Sequence, residues 1–252
     1  MKNIKPLIIY WSPFTHVSTQ YNNILLDMEP VAVKSYIVKN KSINPKIPLP
    51  ITKNGTEPGG YHMCSAMVEL FKNTFIIKAP FSYHIDLDQN GNIVNSSEQF
   101  QFFEPRISSF ENSLCVDFHL PYLFFSEESV NITTTPPYMT KTVQQSYGFT
   151  AAVKYNIGKW FRPFIITYHL WPSTFSLRIE KNEPIMYISF DTDRKIIFKQ
   201  FKLTDDILSQ AEGCMGDKNI NYLQPMNLLY DRFIKTKMNK IILKEIKENL
   251  ID

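Results

Sequence analysis

The chain has 252 residues, 44% hydrophobic and 14% aromatic, enough apolar mass for one sizeable core and too much for intrinsic disorder. A net charge of +3, with basic and acidic side chains interspersed, creates no field of the kind that draws in nucleic acid. No apolar run reaches membrane-spanning length, and the N-terminus lacks a signal-type hydrophobic region, so a soluble cytoplasmic protein with no membrane partner is expected.

In chain order, Ile4–Trp11 is a short β-type run. Residues 39–60, with Pro45, Pro48, Pro50 and Pro58 among Gly55, Gly59 and Gly60, read as an irregular arm, because proline removes ladder donors and fixes φ. Cys64–Phe71 has room for one or two helical turns. From Asn73 onward strands dominate: 75–79, 83–88, 98–103, 113–119, 121–125, 130–134, 147–155, 164–171, 174–180, 185–190 and 195–203. These runs are rich in Phe, Tyr, Ile, Val and Thr and are punctuated by Pro, Asn, Asp and Gly. Many short strands without intervening helical patterns predict a mainly β chain, an antiparallel β-sandwich or jelly roll.

The pattern changes at Thr204. The segment from Thr204 reads as a capped short helix closed by Gly213. Met226–Leu250 contains no Gly or Pro and sets Leu229, Phe233, Ile241 or Ile242, Ile246 and Leu250 on one stripe, which predicts a single long amphipathic helix. Arg232, Lys235, Lys237, Lys240, Lys244 and Lys247, with Glu245 and Glu248, fill its other face. That face is solvated or meets a protein partner or a second copy. The expected organisation is an N-terminal strand and Pro-rich arm over 1–60, a β core over 61–203, and a helical segment over 204–252 packed on that core.

Residues 83–94 carry the chemistry that has to be sorted. In a strand, i and i+2 share a face, so His84 and Asp86 are spaced as two metal ligands. Asp86, Asp88, Asn90 and Gly91 match the first positions of a calcium loop, but position twelve is Ser97 and no helix precedes it, so a true EF-hand is excluded. A plain hairpin needs nothing further, since Asn90-Gly91 supplies the two positive-φ positions of a type I′ turn. Tyr83, Ile85 and Leu87 form the apolar face, which leaves His84, Asp86 and Asp88 on the polar one, and the hairpin is the preferred reading.

The metal reading extends to His169 as a third ligand and to Arg178 as the cation that would hold a cosubstrate carboxylate; His119 would serve on paper as well as His169. This arrangement resembles the His-x-Asp…His…Arg pattern of Fe(II)/2-oxoglutarate oxygenases, and the resemblance implies a double-stranded β-helix with Fe(II) and 2-oxoglutarate as cofactors. His62-x-Cys64 before a helix and the Asp117/His119 pair are weaker site candidates. Trp160, Phe161, Trp171, Phe100, Phe102 and Phe103 read as core before pocket. Cys64, Cys115 and Cys214 are widely spaced, as buried thiols are, and contain no CxxC zinc signature.

Asn73–Phe81 with Cys64 upstream, together with Thr135-Pro136-Pro137, Trp160–Pro163 and Glu183-Pro184, resembles segments of uncharacterised β-rich proteins of tailed bacteriophages and bacteria. That group has no established activity to carry over. The expected role is that of a non-enzymatic, phage-type structural, interaction or ligand-binding protein without a cofactor, in the cytoplasm, with that of an infected bacterial host among the options, or in the virion. The Fe(II)/2-oxoglutarate oxygenase built on His84, Asp86, His169 and Arg178 is the alternative.

Overall fold

A computed structural model describes residues 5–13, 29–33, 65–97, 103–107, 114–138, 148–150, 152–171 and 175–251. The Pro-rich segment 39–60 lies outside the described residues, as do His62, Cys64, Phe100 and Phe102. The chain is mainly β: fourteen described strands form three sheets, and three helices follow at the C-terminal end.

The largest sheet has six strands. Its backbone order is β14 (Ile196–Gln200), β1 (Leu7–Pro13), β7 (Leu114–Phe125), β11 (Pro163–Leu170) and β9 (Gly148–Thr150), and β6 (Phe103–Ile107) also pairs with β7. The runs expected at 113–119 and 121–125 are thus one strand through Pro121. On one edge of β7, residues 114–118 pair with β6 and residues 122–125 with β1. Pro121 falls at that hand-over, where its missing N–H leaves no ladder bond broken. The β11 register also shifts there, between Pro163 and Phe164.

The expectation of antiparallel pairing throughout fails at one place. β1 runs parallel to β14, Leu7 opposite Ile196 through Trp11 opposite Gln200. Parallel neighbours need a long crossover, and here residues 14–195 supply it. The run expected at 147–155 also divides, because β9 joins the six-stranded sheet while β10 (Val153–Asn156) joins another.

That second sheet has the order β10, β8 (Asn131–Thr135), β13 (Pro184–Phe190), β3 (Thr74–Lys78) and β2 (Val31–Ala32). β13 is buried at almost every position because both faces are covered. Ile185, Met186 and Ile188 enter the main core, whereas Tyr187 packs with Val33, Phe71 and Ile76 in a smaller cluster, its hydroxyl donating to the Tyr138 carbonyl at 2.6 Å. The third sheet is β12 (Ser176–Ile179), β4 (Tyr83–Leu87) and β5 (Ile93–Ser96).

One apolar cluster joins the sheets to the helices, running from Leu7 and Ile9 through Phe118, Phe125 and Phe161 to Ile207, Phe233 and Ile246. A short helix, α1 (Ser65–Leu70), precedes β3. After the sheets, α2 (Asp205–Ile220) begins at Thr204, whose hydroxyl accepts the Ile207 N–H at 3.2 Å. It does not close at Gly213. Burial of Ile207, Ala211 and Cys214 along one side carries it through Gly213 and Gly216, tertiary packing overriding weak propensity.

The expected single helix over 226–250 is two, α3 (Met226–Lys235) and α4 (Met238–Glu248), with Lys237 between them in the left-handed region at φ 61°. The bend lets Leu229 and Phe233, then Ile242 and Ile246, all reach the same core. A straight 25-residue helix would extend about 37 Å and could not fold both stripes back onto it. Ile242 faces inward and Ile241 outward. After α4, Lys202 N–H donates to the Asn249 carbonyl and Ile251 N–H to the Gln200 carbonyl, so the C-terminal residues line the free edge of β14.

Candidate functional site

β4 is the middle strand of the three-stranded sheet, and its burial alternates strictly: Tyr83, Ile85 and Leu87 inward, His84 and Asp86 outward. The Tyr83 ring meets Phe118 of β7 at 4.7 Å between centroids, so the inward face of this sheet lies against the core face of the six-stranded sheet. Burial and the nearby Tyr122 push the Tyr83 hydroxyl far above its usual range, which keeps it neutral.

On the outward face, His84 Nε2 is 2.8 Å from Asp86 Oδ2, with both side chains about a third exposed. The two atoms are close, but the contact does not have the geometry of a hydrogen bond. Asn95 Nδ2 donates to the same carboxylate oxygen at 3.3 Å. Arg178 of β12 stands opposite His84 in register and Ser176 opposite Asp86, so His84, Asp86 and Arg178 do share a sheet.

His169 does not join them. On β11 it alternates with the buried Tyr168 and Leu170, and it stands opposite Cys115 on β7. Phe118, which touches Tyr83, is on the core face of β7; Asp117 and Cys115, one and three residues away, belong to the other face. Asp117 Oδ1 accepts the Thr167 hydroxyl at 2.5 Å on that far side. His84 and Asp86 therefore project from one outer face and His169 from the opposite one, with the core between. The three ligands that the alternative metal reading requires to converge lie on different faces, so His169 is not placed beside His84 and Asp86. Among the described residues no group of three His, Cys, Asp or Glu side chains is placed to hold a metal.

The loop at 88–92 is a hairpin, though of another type than expected. Gly91 N–H donates to the Asp88 carbonyl and Asp88 N–H to the Asn92 carbonyl. Of Asn90 and Gly91, only Gly91 has positive φ, 82°. This is a type I turn followed by a left-handed glycine bulge, not a type I′ turn. The Asp88 carboxylate is fully engaged: Oδ1 accepts the N–H groups of Asn90 and Asn92, and Oδ2 accepts Asn92 Nδ2. These bonds, the Asn92 side chain first, hold its carboxyl below the usual range. Asp88 is therefore spent closing the turn, while Asp86, the first of the calcium-like residues, stays on β4 beside Asn95.

Other candidates resolve as structure. Trp160 and Phe161 are in the core, and Trp171 is half exposed. Cys115 and Cys214 are buried. Burial pushes the Cys214 thiol up to about 11, against a smaller opposing effect of its hydrogen bond with the Phe161 backbone. Such a thiol is a poor nucleophile.

Two features of the helical end escaped the sequence reading. Ile220, Tyr222 and Leu223 at the α2–α3 turn are 82%, 69% and 81% exposed, and Leu228 is half exposed beside them. Beneath this tip, a cavity of about 390 Å³ opens between α2, α3 and Trp160. The sequence signal for the first was three large apolar residues beside a helix end before Pro225; for the second, two glycines inside a helix. No helix among the described residues is long and apolar enough to cross a membrane. Comparison with protein-family models, curated proteins and solved structures yields no match to this chain.

Proposed function

We propose that this chain is a non-enzymatic, phage-type β-domain protein of sandwich or jelly-roll form that works by contact, presenting its helical tip to another protein surface. The observation that carries the reading is the exposure of Ile220, Tyr222 and Leu223 together at one turn, since contiguous exposed apolar side chains mark interaction sites whereas scattered ones do not. Support for a non-enzymatic role comes from how the polar candidates are used. Asp88 closes a hairpin, Asp117 holds Thr167, and Asp86 holds His84 and Asn95. The place of action remains the host cytoplasm or the virion.

The first partner to test is a second copy, through an isologous contact of two tips. Deleting the helices is the wrong tool, because Leu229, Phe233, Ile242 and Ile246 are part of the core. Light scattering over a concentration series should show the wild-type mass rising toward a dimer, with Ile220→Ser/Leu223→Ser held monomeric and its melting temperature unchanged. Identical masses for both proteins at every concentration rule self-association out.

The His84–Asp86 pair with Arg178 opposite favours one other reading, the Fe(II)/2-oxoglutarate oxygenase. The residues present do not fit it well, because the ligand set lacks His169 on that face. Anaerobic Fe(II) titration of wild type and His84→Ala separates the two. The contact role predicts equal, negligible binding and a stability change under about 1 kcal/mol, since the His84 and Asp86 side chains are both part-exposed. Stoichiometric binding lost in the variant would favour the oxygenase.

A further inference from the structure

The cavity beneath the tip goes beyond the contact role and does not rest on it. Its floor is apolar: the Trp160 and Phe233 rings meet at 5.9 Å and 52°, flanked by Cys214 and Met238. Its volume of about 390 Å³ lies at the small end of the range that ligand pockets occupy, roughly 300–1,000 Å³. Two buried polar atoms belong to its lining residues and have no hydrogen-bond partner among the described residues. Trp160 Nε1 is a donor in a side chain that is 2% exposed, and Gln210 Oε1 is an acceptor. Buried groups of this kind are normally satisfied, and an orphan calls for an explanation.

A third observation concerns Gly213. It lines the cavity from within α2, where glycine is destabilising relative to alanine, and a Cβ built there meets nothing within 4 Å. No packing demand explains the glycine; it leaves the cavity side of the helix open. The charges at the rim are already neutralised. Asp217 Oδ1 accepts Arg232 at 2.6 Å, and Arg232 also donates to Gln224 at 3.2 Å, so an ionic ligand would find no unpaired counter-charge.

We infer that this cavity binds a small, uncharged, planar aromatic molecule with an amide-type edge. Its ring packs against Trp160 and Phe233, its carbonyl accepts the Trp160 indole N–H, and its N–H donates to Gln210. Both protein atoms are covered in this structure, so the partly buried Gln210 side chain turns as the ligand enters and both atoms become accessible to it.

Benzimidazol-2-one is a suitable probe, being flat and neutral with a carbonyl between two N–H groups. In the ¹⁵N-labelled full chain, the indole N–H signal of Trp160, assigned with Trp160→Phe, should shift and saturate with a Kd of about 1 mM or tighter, while Trp11 and Trp171 stay in place. Gly213→Leu, which fills the open side, should weaken binding at least about tenfold. Gly216→Leu on the same helix, also facing open space but outside the cavity lining, should stay within about twofold. Benzoate, of similar size but charged, should bind at least about tenfold more weakly. An unmoved Trp160 signal at the probe's solubility limit, or an unchanged Kd in Gly213→Leu, overturns the inference. Should Gly213→Leu fail to fold, Gly213→Ala is the substitute; it should weaken binding severalfold, and an unchanged Kd there is equally decisive. The tip variant Ile220→Ser/Leu223→Ser should bind the probe as wild type does, so failure here and failure of the contact role are read separately.

Discussion

At Gly158 the chain has no room for a Cβ, which would fall well inside contact distance of the Glu128 carbonyl oxygen. The residue follows β10, and its N–H donates to Asn156 Oδ1 at 3.1 Å, so the backbone has little freedom to withdraw. Gly158→Ala should therefore destabilise by about 1–3 kcal/mol, the usual range for overpacking, measurable by urea denaturation. Gly213→Ala on α2 should do the reverse, because open space receives its methyl. Two glycines in one chain thus respond in opposite directions. Nothing in the sequence separates them, since the difference lies in atoms brought up by the fold. The alternation at 83–87 was legible for the opposite reason: a period of two fixes which side chains face inward whatever the sheet packs against. That rule sent His84 and Asp86 outward correctly, and it could say nothing of His169, whose position depends on which sheet β11 joins.

The helices show the same division between local and distant information. Thr204 was readable as a cap because the interaction is confined to one turn. The break at Lys237 was not, since no Gly or Pro marks it and the cause is the shared core beneath both segments. Lys237 holds a left-handed conformation that costs an L-residue roughly 1–2 kcal/mol. Lys237→Gly removes that strain at the expense of a more flexible unfolded chain, and a net gain of about 0.5–1 kcal/mol is expected by thermal or urea unfolding. A loss of stability instead would mean that the Lys237 side chain contributes more than its exposed position suggests. α3 is also anchored laterally, the Asn156 N–H donating to the Tyr230 hydroxyl at 2.9 Å, which ties the end of β10 to the helical segment. The mainly β class was evident from composition and punctuation, yet the assignment of strands to sheets was not, as the split of 147–155 between two sheets makes plain.

Across the whole molecule, carboxylates tie distant segments together and set the response to acid. The Arg194 guanidinium grips Glu128 with both nitrogens and also donates to the carbonyls of Lys5 and Pro6. Hydrogen bonding to Arg194 holds the Glu128 carboxyl below its usual range, as Lys154 does for Asp191 and Lys72 for Asp193. Groups depressed in the folded state stabilise above their unfolded values, about 4, and lose that contribution as pH falls through the folded ones. The melting temperature should stay level from pH 7 to about 5 and then decline below about 4. Glu128→Gln should be less stable at neutral pH and show a shallower acid decline; a wild-type curve flat to pH 3 would mean these pairs contribute little, as exposed ones often do. The parallel pairing of β1 with β14 has a consequence of another kind, in time rather than energy. During synthesis β1 gains β7 on one edge well before β14 exists to cover the other. Strands this far apart in sequence pair late and slowly, and until they do the β14-facing edge of β1 is open to a chaperone or to pairing with a neighbour.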